Sequence, residues 1–149
     1  MEHLAIMKKS WGLTEKILDG EKTIESRWYK TKRPPIDKIC IGETVYFKDS
    51  GDPVRLKAEV SDIKQFSNLT PRKVREILDE FGEKDGIDKS KTDYFYDTFK
   101  DKKYCILIFL RNPEKVEPFY IDKKGYGIMS AWICVNKIDD IKKNQGSVV

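Results

Sequence analysis

The sequence predicts an α+β fold, a mixed β-barrel of about six or seven strands with two or three flanking helices. Three observations predict it. Short stretches of alternating apolar and polar residues recur along the chain, separated by turn residues at close spacing. The helical patterns fall between strands without the regular strand–helix alternation of a doubly wound sheet. One run, Cys105-Ile106-Leu107-Ile108-Phe109-Leu110, is apolar throughout, as a central strand covered on both faces must be.

The elements follow in order. His3 to Met7 reads as a strand, and Ser10 is placed to cap a short helix carrying Trp11, Ile17 and Leu18, with Gly20 ending it. From Thr23 to Tyr29 the alternation puts Thr23, Glu25 and Arg27 on one face of a strand and Ile24, Ser26 and Trp28 on the other. Pro34-Pro35 breaks further pairing. Gly42-Glu43 turns the chain into a strand at Thr44-Val45-Tyr46-Phe47, and Ser50-Gly51-Asp52-Pro53 marks a hairpin turn into the strand Val54 to Val60. Thr70-Pro71 starts the clearest helix: a cap, a proline in the first turn, a stripe of Val74, Ile77, Leu78 and Phe81, and Gly82 as the stop. Asp85 to Lys102 is polar, with Phe95 and Phe99 fitting one helical face. After the buried strand, Val116 to Ile121 and Ile128 to Val135 read as two more strands joined by Lys123-Lys124-Gly125-Tyr126-Gly127.

With 149 residues and 39% apolar content, the chain is read as a single domain over 1–149, its core at about 4–137 and a frayed tail at 142–149. A net charge of +4 is too small to identify a partner. Local charge says more: Arg27, Lys30, Lys32, Arg33 and Lys38 face the single acid Asp37, an excess that attracts phosphate or forms a solvated loop. No stretch approaches the roughly 20 apolar residues that span a bilayer, and the apolar N-terminal segment is too short for a signal-peptide core. A cytoplasmic protein without a membrane partner is expected. Cys40, Cys105 and Cys134 are odd in number, widely spaced and without a CxxC pair, so all three are read as small core residues. With one histidine in the chain, neither a metal site nor a cofactor is expected.

The richest chemistry lies in Gly20-Glu21-Lys22-Thr23-Ile24-Glu25-Ser26-Arg27. Neighbours on one strand face lie about 6–7 Å apart, so Glu25 and Arg27 can pair or can meet one planar ligand together. A guanidinium fork offers paired donors to phosphate or a base edge, and a carboxylate accepts from an exocyclic amine. Lys22 offers either a compact charge for phosphate or, partly desolvated, a base. The alternative is a salt-bridged face in water. Trp11, at the start of the first helix, is a candidate stacking platform; Trp28, on the Ile24 face, is read as structural. Tyr126 is either a contact residue or a plain hairpin tip, and His3 is read as incidental to chemistry.

This stretch resembles the signature of the ASCH domain family, a branch of the PUA-like superfamily: G-x-K-T-[IV]-E-x-R after a short helix, then a glycine–acid turn into a strand, here Ile41-Gly42-Glu43-Thr44-Val45-Tyr46-Phe47. The Leu69-Thr70-Pro71 helix, the Asp85-Gly86-Ile87 step and the strand from Tyr104 fall in the family's order, so the resemblance spans roughly Leu4 to Lys137. It implies a small barrel with helices around an open cleft lined by the motif, and a connection to RNA or modified nucleosides. One branch of the family removes the acetyl group of N4-acetylcytidine with a lysine, a threonine and a glutamate; others are described as ribonucleases. Lys22 matches that lysine, but Glu25 stands where the nucleophilic threonine would be, and the acid maps loosely onto Asp85.

The reading is therefore an RNA- or modified-nucleoside-binding domain. Its ligand-binding candidates are Lys22, Thr23, Glu25, Arg27, Trp11, Lys32 and Ser130, and its candidate catalytic set is Lys22, Glu25 and Asp85. The alternatives are an amidohydrolase acting on N4-acylated cytidine or a metal-independent ribonuclease in the same cleft, and, third, a protein-interaction module.

Overall fold

The structure, a computed structural model, describes residues 1–123, 125–127 and 129–143. Six strands form one mixed sheet: β1 (Glu2–Met7), β2 (Ile24–Tyr29), β3 (Thr44–Asp49), β4 (Val54–Phe66), β5 (Tyr104–Phe119) and β6 (Trp132–Val135). Their order is β2-β5-β4-β3-β1-β6, antiparallel except for the parallel pair β1–β3. Three helices accompany them, α1 (Leu13–Leu18), α2 (Pro71–Phe81) and α3 (Thr92–Phe99). The sheet curls into a half-barrel, so that β2 at one end comes within side-chain reach of β1 near the other.

The alternation along β5 builds two cores from one strand. Ile106, Ile108 and Leu110 face the hollow of the half-barrel, where they meet Phe47, Leu56 and Ile17 of α1. Cys105 and Leu107 face outward, under Val74, Ile77 and Leu78 of α2 and Phe95 of α3. Both faces are covered, which is why the segment carries no polar alternation. A third cluster, Leu4, Val54, Phe119, Ile133 and Val135, is closed by the 3-10 turn Ile138–Ile141.

The α2 start is as the sequence predicts: the Thr70 side chain accepts from the Lys73 N–H at 3.2 Å, with Pro71 leading the helix. Elsewhere the boundaries move. Ser10 caps nothing; it lies in a 3-10 turn, Lys9–Trp11, and Gly12 at φ 63° resets the chain before α1 begins at Leu13. Gly82 remains helical at φ −57°, and the reversal after α2 falls at Gly86, at φ 83°. β4 runs past Val60 to Phe66, its outer positions wet and its ladder with β5 continuing through register shifts. The strand expected from Val116 to Ile121 is the end of β5 up to Phe119. Asn112-Pro113 is absorbed where β5 has lost β2 as a partner, so Pro113 costs no ladder bond. Ile121 forms only a lone bridge to Lys142. β6 starts at Trp132; Ile128, Lys124 and the tail over 144–149 lie outside the described residues.

Cys105 is buried and Cys134 half-buried, but Cys40 is exposed, against the expectation of a core position; the loop after Pro35 turns it outward. Among the described residues no helix is long and apolar enough to cross a membrane.

Candidate functional site

The half-barrel does not close. Between β2 on one side and β1 with the segment 129–131 on the other lies a cleft of about 470 Å³, the size of a small-ligand site. Its walls are aromatic: Trp11, Trp28, Tyr29, Phe95 and Phe99. Trp28 stacks on Phe99 with ring centroids 4.8 Å apart, and Trp11 meets Phe95 edge-on at 5.0 Å. Its polar groups include Glu25, Ser26, Arg27 and Asp85, with Ser130 on the far side and Lys8, Ser50 and Lys123 also in its lining.

The motif reaches this cleft through the loop that follows α2. Thr23 and Ile24 both donate their N–H to the Lys84 carbonyl, at 2.8 and 3.0 Å, which docks the loop on the entrance to β2. Asp85 is thereby set beside Lys22, and the lysine is wholly enclosed. Its ammonium donates to the carbonyls of Ile24 (2.6 Å) and Asp85 (2.7 Å) and to the Asp85 carboxylate (2.6 Å), and stands 3.1 Å from Glu25. Burial alone would lower the Lys22 pKa, but the charges of Asp85 and Glu25 outweigh it and hold the ammonium above its usual range. So placed, the Lys22 ammonium is turned away from the cleft, against the acids and carbonyls beneath it. It is an internal strut.

The two acids served by this one cation diverge. Burial pushes both upward. Glu25, with Lys22 on one side and the Arg27 Nε at 2.8 Å on the other, ends below the ordinary carboxylate range. Asp85 has no guanidinium, and burial together with the nearby Glu25 charge leaves it raised. Its outer oxygen accepts from the Ser26 hydroxyl at 2.5 Å, and the Ser26 oxygen accepts in turn from the Trp28 indole N–H at 3.0 Å.

Arg27 spans the opening. Besides Glu25, it donates to the carbonyls of Ile6 and Ala131, both at 3.3 Å, and lies over the Trp132 ring at 5.2 Å. Trp132 continues the chain inward: its indole N–H donates to His3 Nδ1 at 3.2 Å, which fixes the tautomer so that Nε2–H donates to Glu43 at 2.8 Å. His3 is therefore a buried structural link, and its partner is the acid of the glycine–acid turn.

Of the residues singled out from the sequence, Glu25, Arg27, Asp85, Trp11 and Ser130 line the cleft, whereas Lys22 sits beneath it. Thr23 precedes β2, is exposed and does not line it. Lys32 lies away from it, paired with Asp37 at 2.8 Å. Ser130 donates to the Trp132 carbonyl at 3.2 Å. Ser26 and Phe99 were not singled out for the cleft. Ser26 shares the Ile24 face, which alternation assigns to the core, but β2 is the sheet edge and the cleft wraps around it. Among the described residues no group of three or more histidines, cysteines or acids is placed to hold a metal ion.

No family model matches the sequence, and no curated protein matches it. Solved structures do. The crystal structure of ASCH from Zymomonas mobilis is similar over 95% of this chain and 96% of that one, with a TM-score of 0.66 at 15% identity. A mutant of that protein gives the same TM-score at 14% identity over 93% of both chains. Hypothetical protein PH0355 covers 78% of this chain and 100% of its own, with a TM-score of 0.52 at 20% identity. The architecture is accordingly the fold of the Zymomonas mobilis ASCH structure. At these identities it is the fold that is shared.

Proposed function

We propose that the cleft binds RNA or a modified nucleoside, in the cytoplasm. The observation that carries this reading is the set Glu25, Ser26 and Arg27 held at the floor of a slot with aromatic walls. A base inserted there has rings to stack on, a carboxylate to accept from an exocyclic amine, and a guanidinium to donate to a carbonyl or a phosphate. The net basic loop from Lys30 to Lys38 supplies attraction for the backbone, and the Arg33 guanidinium lies 5.6 Å over Tyr29 at the rim. The test is fluorescence anisotropy with a labelled single-stranded RNA of mixed sequence across a salt series. Affinity is expected to fall steadily as salt rises and to weaken further in Arg27→Ala and Lys32→Ala. Absence of binding at low salt, or binding indifferent to salt, overturns the reading.

A second reading is favoured by one observation, the short Ser26–Asp85 hydrogen bond facing the cleft. A carboxylate with a raised pKa beside a hydroxyl is the pairing a hydroxyl nucleophile needs. In an amidohydrolase, the Ser26 oxygen attacks the acyl carbonyl of an N4-acylated cytidine while Asp85 takes its proton. The proton then passes to the departing amine, and water releases the acyl group from Ser26. Lys22 positions Asp85 in this scheme. Acetate release from N4-acetylcytidine, lost in Ser26→Ala, is the expected result; no release across acylated cytidines removes the reading. A metal-independent ribonuclease would instead cleave RNA in EDTA.

A further inference from the structure

A second cavity, of about 430 Å³, adjoins the cleft. Lys8, Trp11, Leu13, Ile87 and Phe95 line both, so they form the partition between them. Each volume lies within the roughly 300–1,000 Å³ of small-ligand sites, and neither holds much more than one nucleotide-sized group comfortably between its walls. Their chemistry differs. The cleft carries two carboxylates, Glu25 and Asp85, with Arg27, Lys123 and the shared Lys8, whereas the second cavity carries Lys8, Lys16 and Lys91 against the single acid Asp88.

The basic groups are not equivalent. Lys16 is committed to the fold, donating to the Gly86 carbonyl at 2.8 Å and standing 3.7 Å from Asp88. Lys8 and Lys91 are exposed and make no ion pair among the described residues. The Lys8 ammonium rests over the Trp11 ring at 5.1 Å, which puts a cation at the partition itself. On the outer side, Tyr94 is 50% exposed, and its ring is set edge-on to Phe95 at 5.1 Å, so a buried aromatic fixes the base of an aromatic plate presented to solvent.

We propose that the second cavity is a nucleotide subsite, and that the ligand is a single strand of at least two linked nucleotides crossing Trp11. One base enters the cleft. The linking phosphate passes Lys8 at the partition, and the neighbouring nucleotide lies in the second cavity, stacked on Tyr94 with Lys91 beside its backbone. Two slots separated by an aromatic ridge, the second of them holding three lysines against one acid, suit a strand better than a free nucleoside, which needs one slot and carries no phosphate. The proposal rests on reading the cleft as a base-binding site.

Calorimetric titration of the whole chain separates the two claims. The probes are cytidine and N4-acetylcytidine, each alone and as half of a dinucleoside monophosphate. The dinucleotides are expected to bind at least tenfold more tightly than their nucleosides. Lys91→Ala and Tyr94→Ala, both at exposed positions, are expected to remove most of that gain and leave nucleoside affinity unchanged. Equal affinity for nucleoside and dinucleotide overturns the subsite while the cleft reading stands, as does a gain that survives in the double variant. No binding of any probe overturns both.

Discussion

Arg27 on β2 donates through Nη2 to the carbonyl of Ile6 on β1, at 3.3 Å, although the two strands lie near opposite ends of the sheet. Where a closed barrel would continue the ladder, one guanidinium bridges the gap, with Nη1 holding the Ala131 carbonyl beside it. The gap is the candidate site, so the residue that closes the fold is also a wall of the cleft.

Replacing Arg27 with alanine is expected to have two separable effects. Hydrogen exchange should quicken in residues 24–29 and around Ile6, while β3 and β4 keep their protection. RNA affinity should drop at least tenfold. Lysine should not restore either, because a point charge cannot serve Glu25 and two carbonyls at once. Unchanged exchange in β2 would contradict the bridging role.

Lys22→Met removes the ammonium from between two buried carboxylates and two carbonyls. Breaking a buried pair from one side costs about 3–5 kcal/mol. Urea unfolding should show a loss of that order, and Asp85→Asn in the same chain should recover part of it by removing one orphaned charge. If the double variant is no more stable than Lys22→Met, the pairing of Lys22 with Asp85 does not carry the site's stability.

His3 sets an acid limit. Burial lowers its pKa below 6.5, with the Glu43 hydrogen bond and charge opposing, and the ring is neutral in the fold. The unfolded chain therefore binds a proton first as pH falls. The stability linked to His3 is complete above about 6.5 and is lost as pH drops through the lowered folded value. Glu25 and Glu43, also held low, lose theirs only further down, below the ordinary carboxylate value of 4.5. Melting temperatures of the wild type should begin to fall below about pH 6.5, whereas His3→Gln should be flat down to the carboxylate range. A parallel decline in both would assign the upper limit to another group.

Gly86→Ala tests the loop that carries Asp85. Gly86 sits at φ 83°, and a methyl there would stand 3.2 Å from the Lys22 side chain and 3.3 Å from Leu13. Positive φ and crowding both oppose the change, so the loss should exceed about 1 kcal/mol in chemical unfolding. A neutral result would mean that the loop shifts without disturbing the strut.

The alternation from Thr23 to Tyr29 was legible in the sequence and holds where it matters: Ile24 and Trp28 pack under α2 and α3, and Glu25 and Arg27 face the other way. The capped start of α2 and the doubly covered run at Cys105 were equally plain. Lys22 was not. The residues alone offer Lys22 as a phosphate contact or a partly desolvated base, and its acid partner, 63 positions away, was suggested only loosely by the family resemblance. Their burial together depends on the docking of the Lys84 carbonyl on β2, which no pattern along the chain announces. The length of β5 was hidden by Asn112-Pro113, a turn signal in isolation that an edge can absorb. Ser26 was hidden because a two-sided strand pattern does not say which strand ends the sheet.

The enclosed lysine also bears on how chains of this fold can diverge. An ammonium saturated by internal acceptors fastens a loop to a strand and has no valence left for a visitor. Side chains at Ser26, at Trp11 and along the ring-bearing walls can then vary while the fastening beneath them stays as it is.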